Sequence, residues 1–442
     1  MPAFRDPALV SRGEPEFDAA RQRLIWNKRL ALARTPDAIV DCRSAADVRS
    51  AIGLARDGGQ RVSPCGGGHH YEAAALREGG FLLDLAGLDF VEIDAETRVA
   101  RVGAGVRGGD LTEKLAAKGF GFPVGHCVDV GLSGYLLAGG LGWNAGEWGA
   151  ACGGVVAVEV VTAAGELVLA NATQHADLWW AARGHGAGFF AAVTAFHLAL
   201  QPLPPAVWAW RAMFPLASAP LLADWINAAI AAADPAVELG CFVLHAPDSG
   251  QPAVIVRVSA CGETADDART KLASFASPPA VERLWEPKGE ALAFTELPRL
   301  SPMPAGKRVA ADHLWSDNPV GDLLLAIYHL VPPSADSTVD LVAYGGNAPV
   351  AVPGDAALSR IGRTGAGIYA LWDEPADDAL NRNWVSQIDD ALAPFRTGRY
   401  VGEADLGAAP DRRAQCFGPG VLDRLAAIRT AYDPDEVFFG YP

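Results

Sequence analysis

Glycine is concentrated in the first half of this 442-residue chain, and its placement constrains the fold more than any other feature. Residues 66–68 are three consecutive glycines, and six more lie between residues 125 and 142. A glycine has no Cβ, so its backbone can approach another segment, or a flat or phosphorylated ligand, very closely. Either a ligand site or tight strand-on-helix packing explains this density. The short apolar segments between the glycines lack a regular βαβα order. We therefore expect residues 30–205 to form an α+β unit with several antiparallel strand pairs.

Local patterns predict the elements of this unit. Ser44, with Asp47 three positions later, is typical of a helix start, and Gly58-Gly59 is typical of its end. Alternating apolar residues on both sides of "DAET" (94–97) and of "AAGE" (163–166) predict two β-hairpins. The segment "QRVSP" predicts a short strand that leads into the glycines at 66–68.

Glycine turns become rare after "QPLPPA", which indicates a second domain. Alanine-rich segments, "LLADWINAAIAAA" and "ADDARTKLASFA", predict helices, and longer apolar segments predict strands: "CFVLHAP", "AVIVRVSAC", "DLLLAIYHL" and "VDLVAYGG". We expect residues 206–394 to form a mainly antiparallel sheet covered by helices. Residues 395–442, with a helix at "PGVLDRLAAIRTAY", are too few to fold alone and should pack on the first domain, residues 1–205.

The charge balance excludes several classes of partner. Lys and Arg number 36 and Asp and Glu 52, so the net charge is −16. An acidic surface repels phosphate backbones and anionic lipid, so we expect neither nucleic-acid nor membrane partners. We find no signal-peptide pattern at the N-terminus, and the seven cysteines include no CxxC pair, so we expect a cytoplasmic protein. The sequence carries no signal for oligomeric state.

The segment Gly103-x-Gly105-x-x-Gly108 matches the dinucleotide-binding fingerprint. It would allow a nicotinamide-dependent dehydrogenase. However, the preceding strand belongs to a predicted hairpin, and no acidic residue ends a second parallel strand about 20 residues later. A simple glycine turn is the better interpretation of this motif, and the dehydrogenase stays as an alternative.

Two histidines, His69 and His70, follow the three glycines directly. Neighbours on an extended chain point in opposite directions, so these two imidazoles do not easily share a metal ion, and the same holds for His126 and Cys127. No spacing in the sequence predicts a metal site. We interpret the other histidines as ordinary surface or hydrogen-bonded imidazoles: 175, 185, 197, 245, 313 and 329.

Several motifs, taken in order, resemble those of the berberine bridge enzyme-like FAD-linked oxidases, which share the vanillyl-alcohol oxidase fold and its PCMH-type FAD-binding domain. These motifs are "GGGHHYE", "VGAG", "GHCVDVGLSGYLLAGGLGW", "EVVTAAGEL", "DLWWAARGHGAGFF", "VT" and "YDPDEVF". The resemblance covers residues 25–202 and 398–442. It implies a two-domain α+β fold, in which residues 1–205 and 395–442 bind FAD and residues 206–394 bind substrate.

The resemblance also implies covalently bound FAD. His69 occupies the position of the attachment histidine, and Cys127 the position of the cysteine that forms a second bond in some members. A bond to His69 alone, with Cys127 a free buried thiol, is the alternative. An imidazole nitrogen and a thiolate are nucleophiles suited to such bonds. Other positions in the matching motifs are expected to contact the cofactor: Gly66, Gly67, Gly68, His70, Gly103, Gly105, Val130, Gly131, Gly134, Gly139, Gly140, Gly142, Trp143 and Val193.

The sequence departs from the family pattern at three places. Cys65 stands where an arginine is common, and Ala138 replaces the first glycine of the usual Gly-Gly-Gly at 138–140. Glu403 stands where sugar-oxidising members have a tyrosine that takes the substrate proton. A carboxylate can do the same if burial raises its pKa. We predict Glu403 as base and Tyr400 as a pocket residue, with Asp129 as an alternative base. A surface position for Glu403 is the competing interpretation.

Val130, three residues after Cys127, resembles the small side chains that admit O₂ to the flavin in relatives. We therefore expect an oxidase. It would move hydride from a CH–OH group of a small organic or sugar-like substrate to FAD, and then to O₂, giving H₂O₂. The change at Glu403 weakens the case for a sugar. Amine oxidation, oxidative cyclisation and a non-catalytic flavin-binding protein are the alternatives within the same fold.

Overall fold

The computed structural model describes residues 8–301, 303–409 and 411–441. The strands before residue 203 form two main sheets and a short pair. In chain order they are β1 (Ala8–Ser11), β2 (Ala38–Asp41), β3 (Val62–Cys65), β4 (Phe81–Asp84), β5 (Val91–Asp94), β6 (Val99–Gly103), β7 (Phe120–Gly121), β8 (Val155–Val161), β9 (Leu167–Asn171), β10 (Ala192–Ala199) and β11 (Gln201–Pro202).

The two main sheets differ in strand direction. The first has the order β1-β2-β4-β3, in which β4 is parallel to β2 and β3 and β1 is antiparallel to β2. The second has the order β5-β6-β10-β8-β9 and is antiparallel. The predicted hairpins are confirmed as β5–β6 and β8–β9, and β7 pairs with β11.

Short helices pack on these sheets: α1 (Phe17–Arg23), α2 (Ala45–Asp57), α3 (Gly108–Ala116), α4 (Leu132–Leu137), α5 (Ala145–Trp148) and α6 (Ala176–Ala181). The predicted start of α2 is confirmed, because the Ser44 hydroxyl accepts a hydrogen bond from the Asp47 amide. Gly58 follows its last residue, as predicted.

The strands after residue 205 form an eight-stranded antiparallel sheet of order β15-β12-β14-β13-β17-β18-β16-β19. They are β12 (Ala206–Pro215), β13 (Glu238–His245), β14 (Pro252–Gly262), β15 (Trp285–Leu292), β16 (Arg308–Ser316), β17 (Thr338–Tyr344), β18 (Thr364–Trp372) and β19 (Arg396–Gly398). Helices accompany this sheet: α7 (Ala219–Ala232), α8 (Ala265–Lys271), α9 (Val320–Ile327) and α10 (Asp378–Leu392). The predicted two-domain α+β fold is confirmed.

The strand predicted at "DLLLAIYHL" is wrong, since this segment forms most of α9. Its buried residues include Leu323, Leu324 and Ile327, whereas Leu325 is 40% exposed. This spacing follows the helical period of 3.6, and leucine and alanine favour helices. A continuous apolar run of this length is found both in buried strands and in buried helices, so the pattern alone does not distinguish them.

The tail contains α11 (Arg412–Gln415) and α12 (Val421–Tyr432). Phe438 forms an isolated parallel bridge with Val62 of β3, and the Val62 amide donates to the Val437 carbonyl at 2.7 Å. Phe438 is fully buried in the same apolar core as Val40 and Val62. The predicted packing of the tail on the first half is confirmed, whereas the boundaries at 205 and 394 stay predictions. In the described ranges, no helix combines the length and apolarity that crossing a bilayer requires, and the cytoplasmic location stays a prediction.

Candidate functional site

A long cavity lies between the glycine-rich half and the eight-stranded sheet. Its volume is about 320 Å³. One wall comes from residues 63–75, the loop at 125–131 and α4. The opposite wall comes from β16, β17, β18 and the segment that contains Tyr400 and Glu403. The cavity therefore collects side chains from both halves of the chain.

The turn at Gly66–Gly68 is packed so closely that larger residues do not fit. A Cβ on Gly67 would lie 2.6 Å from Cα of Gly131, and one on Gly66 would lie 2.9 Å from the Ala104 carbonyl oxygen. Gly68 has φ +64°, a backbone conformation that favours glycine. Tight packing thus explains these glycines locally, and it also brings the turn to the cavity wall.

The cavity wall includes many of the predicted site residues: His69, Cys127, Glu403, Tyr400, Gly66, Gly67, Gly68, His70, Val130, Gly131, Gly134 and Val193. The remaining predicted residues lie outside that wall: Asp129, Gly103, Gly105, Gly139, Gly140, Gly142 and Trp143. Gly103 and Gly105 pack against the carbonyl oxygens of Leu88 and Leu85. Trp143 is 1% exposed and belongs to a separate apolar cluster.

His69 is held in place by aromatic stacking and by a carboxylate. Its ring stacks on Trp26 with a centroid distance of 4.5 Å. Its Nε2 lies 3.4 Å from Oδ1 of Asp129, and interaction with His69 lowers the pKa of Asp129. Asp129 therefore faces His69. The sequence suggested Asp129 as an alternative base in the cavity, but Asp129 does not line the cavity wall.

His70 has different surroundings from its neighbour. Its Nδ1 accepts a hydrogen bond from the Glu72 amide at 3.1 Å. Burial lowers the pKa of His70 to about 4, so the ring is neutral at physiological pH.

The Cys127 thiol is half-buried and unfavourable for ionisation. Burial raises its pKa to about 12, and nearby carboxylates, Asp129 first, act in the same direction. Little of the Cys127 side chain is therefore present as the thiolate, which is the nucleophilic form expected to bond to FAD.

Glu403 lies in the cavity wall, so the surface position considered from the sequence is wrong. Its Oε2 accepts a hydrogen bond from the Tyr369 hydroxyl at 2.6 Å. Burial raises the pKa of Glu403, and the bond from Tyr369 opposes that rise. The hydroxyl of Tyr400 accepts a hydrogen bond from the Gly140 amide at 3.1 Å, which fixes its ring near the same wall.

Sequence reasoning missed Asp340, Tyr344 and Tyr369 and took His313 for an ordinary histidine. All four line the cavity. Burial lowers the pKa of His313 to about 3 and raises that of Asp340 to about 6. The alternation in β17 would have placed residues 340, 342 and 344 on one face. Only the folded sheet shows that this face meets the cavity.

Several polar atoms that line the cavity are buried without a hydrogen-bond partner among the described residues. They are Nε2 of His69, Nε2 of His70, Nδ1 of His313, Nε1 of Trp315 and Oδ1 of Asp340. Buried polar groups without partners are rare and destabilising. They indicate an occupant that carries hydrogen-bonding groups along its length. A flavin dinucleotide, which combines a flat polar ring with phosphates, fits the glycine turn and these side chains.

Comparisons with known proteins identify the cofactor class. A family model described as an FAD binding domain matches residues 36–171. This region contains Gly103, Gly105 and Gly108, so these glycines belong to an FAD-binding domain and not to a nicotinamide site. The chain is thus an FAD-dependent oxidoreductase.

Several known proteins are similar to this chain over almost its whole length. The FAD-linked oxidoreductase nodO of Hypoxylon pulicicidum is 28% identical over 437 residues, covering 95% of this chain and 93% of that protein. The structure of 6-hydroxy-D-nicotine oxidase from Arthrobacter nicotinovorans superposes with a TM-score of 0.85 at 25% identity, covering 99% of this chain and 97% of the other. Physcomitrella patens BBE-like 1 gives a TM-score of 0.85 at 22% identity, with the same coverage. The chain is therefore similar to FAD-linked oxidoreductases over almost its whole length, and it shares the fold of the berberine bridge enzyme-like protein and of the nicotine oxidase.

Proposed function

We propose that the protein is an oxidase acting on a CH–OH group of a small organic substrate, with O₂ as final acceptor and H₂O₂ as product. The proposal depends above all on Glu403, a half-buried carboxylate in the cavity wall that Tyr369 holds by a hydrogen bond. Residues 1–205 and 395–442 would bind FAD, and residues 206–394 would bind substrate. Bound FAD supplies a hydride acceptor that O₂ can reoxidise.

Glu403 is proposed to take the proton of the substrate hydroxyl while hydride leaves the adjacent carbon. A base works best when its pKa lies near the operating pH. Burial moves the pKa of Glu403 upward from the usual glutamate value, which makes the ionised carboxylate a stronger base. Tyr369 orients the carboxylate, and Tyr400 lines the same wall.

His69 is proposed as the covalent attachment site for FAD, with a second bond at Cys127. Nε2 of His69 lies 3.4 Å from Oδ1 of Asp129 without a hydrogen bond, so both ring nitrogens stay candidates for the bond. Each bond replaces one C–H of the flavin and one N–H or S–H of the side chain. The two electrons and two protons released pass to O₂, giving H₂O₂. The raised pKa of Cys127 makes its bond depend on a nearby base, so we expect it to form more slowly than the His69 bond.

Val130 lines the cavity beside this region. Its small side chain is proposed to admit O₂ to the flavin, which supports an oxidase over a dehydrogenase. Amine oxidation, or oxidative cyclisation by the same hydride removal, is the second candidate. Its support is the similarity to 6-hydroxy-D-nicotine oxidase.

The test uses the purified holoenzyme and a panel of alcohols and amines screened for H₂O₂. With an active alcohol, Glu403→Gln should slow anaerobic flavin bleaching by roughly 10²- to 10⁴-fold, the usual contribution of a general base. Glu374→Gln is the matched control, because Glu374 is exposed. Equal bleaching rates in Glu403→Gln and wild type would reject Glu403 as base.

Two further measurements complete this test. Reoxidation in air no faster than that of free flavin would reject the oxidase. Acid precipitation followed by peptide mapping should find flavin on His69 and Cys127. Colourless acid-precipitated protein would reject covalent attachment, and an adduct on His70 would show that the wrong histidine was assigned.

A further inference from the structure

We propose that Asp340 binds a positively charged group of the substrate, such as a protonated amine, at the β17 side of the cavity. This inference rests on the proposed function, because it names the substrate class of the same site. It applies whether the oxidised carbon carries a hydroxyl or the amine itself.

Asp340 lies in the middle of the eight-stranded sheet. Within the sheet it is opposite Phe242 of β13 and Gly367 of β18, and it lines the cavity together with Val342 and Tyr344. Its Oδ1 is buried and has no hydrogen-bond partner. In the part of the chain that the structure describes, no ion pair involves its carboxylate either. An ionised group in such a place is strongly destabilising unless something compensates it.

The nearby cationic side chains make their hydrogen bonds to other groups, and Arg257 compensates the charge of Asp340 only from a distance. Nε2 of His126 lies 2.6 Å from Oε1 of Glu238, so this histidine is engaged. Arg257 lies over the Phe242 ring, 4.6 Å from its centroid, and it donates hydrogen bonds to the Leu300 carbonyl and the Ser301 hydroxyl. Arg257 lowers the pKa of Asp340 only partly, against the larger effect of burial, and Glu403 and Glu238 raise it.

Asp340 and Glu403 therefore line one cavity, and in the described residues neither carboxylate has a cationic side chain in direct contact. A hydroxyl group in the substrate would satisfy the hydrogen bond of Asp340 but not its charge. A protonated amine would satisfy both, and it would also relieve the repulsion between the two carboxylates. This distinction favours a cationic substrate.

The rest of this wall suits an apolar amine better than a polyol. Apolar and aromatic side chains line the same cavity as the carboxylate: Leu141, Val342, Val350, Ile361, Tyr344 and Trp315. Aromatic faces attract cations, whereas a sugar needs many polar partners. The ligand class is thus a hydrophobic molecule with one basic nitrogen.

Benzylamine and benzyl alcohol are suitable probes, because they have similar shapes and only the amine is cationic at pH 8. Binding to the holoenzyme is measured from the change in the flavin absorption spectrum without O₂, so turnover is not needed. Wild type should bind benzylamine more tightly. Asp340→Asn should weaken that binding on the order of 10- to 100-fold, the usual range for a charge-assisted hydrogen bond. Benzyl alcohol should bind both proteins about equally.

The controls separate this inference from folding and from the proposed function. Asp224→Asn changes an exposed carboxylate on α7 and should leave both affinities unchanged. Asp340→Leu and Asp340→Asn remove a buried charge, so both should unfold at the same or higher denaturant concentration than wild type. An unchanged preference for benzylamine in both Asp340 variants would overturn the inference. If the Asp340 variants lose the preference for benzylamine and wild type oxidises no alcohol, the inference about Asp340 is supported. The same result would reject the proposed CH–OH oxidation.

Discussion

Two opposing effects act on the carboxyl group of Glu403. Burial raises its pKa, and the hydrogen bond from Tyr369 lowers it because the bond stabilises the ionised form. The proposed base must be ionised to accept a proton. Activity should therefore be present above the folded-state pKa of Glu403 and should be lost as the pH falls through it.

Tyr369→Phe removes that hydrogen bond and keeps the ring. The pKa of Glu403 should rise further, so the acid limb of kcat/KM should move to higher pH by roughly one to two units. Steady-state rates between pH 5 and 9 measure this shift. Tyr71→Phe is the control, because its ring lies 5.4 Å from that of Tyr369 without a hydrogen bond to Glu403. If the acid limb of kcat/KM does not move in Tyr369→Phe, a group other than Glu403 is responsible for it.

Residues within contiguous motifs were the predictable part of the site. His69, Cys127 and the glycines at 66–68 could be proposed from their order along the chain, and all of them line the cavity. Tyr369 and Glu403 are 34 positions apart on different elements, and Asp340 meets the cavity only through strand pairing. No local pattern encodes such neighbours, because the sheet register brings them together.

At the scale of elements, the contact between the glycine turn and the start of α4 controls the shape of the cavity wall. Gly67 and Gly131 touch through their backbones, so a side chain on either would separate the two segments. Backbone atoms have little room to yield in a packed interior.

Gly67→Ala should therefore destabilise the protein by roughly 1–3 kcal/mol and reduce the flavin bound per chain. Denaturant unfolding and the ratio of flavin to protein absorbance measure the two effects. Gly53→Ala is the matched control, since it lies within α2 and its added Cβ would meet nothing within 4 Å. It should be neutral or stabilise by up to about 1 kcal/mol. Normal flavin content in Gly67→Ala would contradict the tight contact.

Elements formed by adjacent segments were the ones that the sequence predicted well. Both hairpins joined neighbouring strands across a short turn, and α2 had its own start and end signals. The segment of α9 has no side-chain hydrogen bond at its start and is apolar from Leu323 to Ile327. Its helical state follows from packing against α7 and β17, which local propensity does not contain.

At the scale of the whole molecule, a buried ionic network joins the large sheet to the segment that carries Tyr400 and Glu403. Arg399 donates to Asp312 at 2.9 Å and to Asp389 at 2.8 Å. Arg412 reaches Asp389 at 3.1 Å and also pairs with Asp312. Burial would lower the pKa of Arg399, but the two aspartates hold it above its usual value.

Asp312→Asn should break this network and destabilise the protein by roughly 3–5 kcal/mol, because two arginines lose a buried counter-charge. Denaturant unfolding followed by tryptophan fluorescence measures the loss. Glu436→Gln disrupts an exposed tail contact, with Arg61 at 2.6 Å, and should cost within about 1 kcal/mol. Equal effects of the two changes would show that the buried network contributes little to stability.

The bridge between Val62 and Phe438 has a consequence for biosynthesis. The adjacent pair, Arg61 and Glu436, is 375 positions apart. At translation rates of about 5–20 residues per second, the ribosome needs roughly 20 to 75 s to supply the partner of β3. Until then one edge of β3, whose other edge pairs with β4, stays unpaired beside the glycine turn. We therefore expect cofactor loading to follow completion of the chain, and a chaperone that shields this edge to raise the yield of holoenzyme.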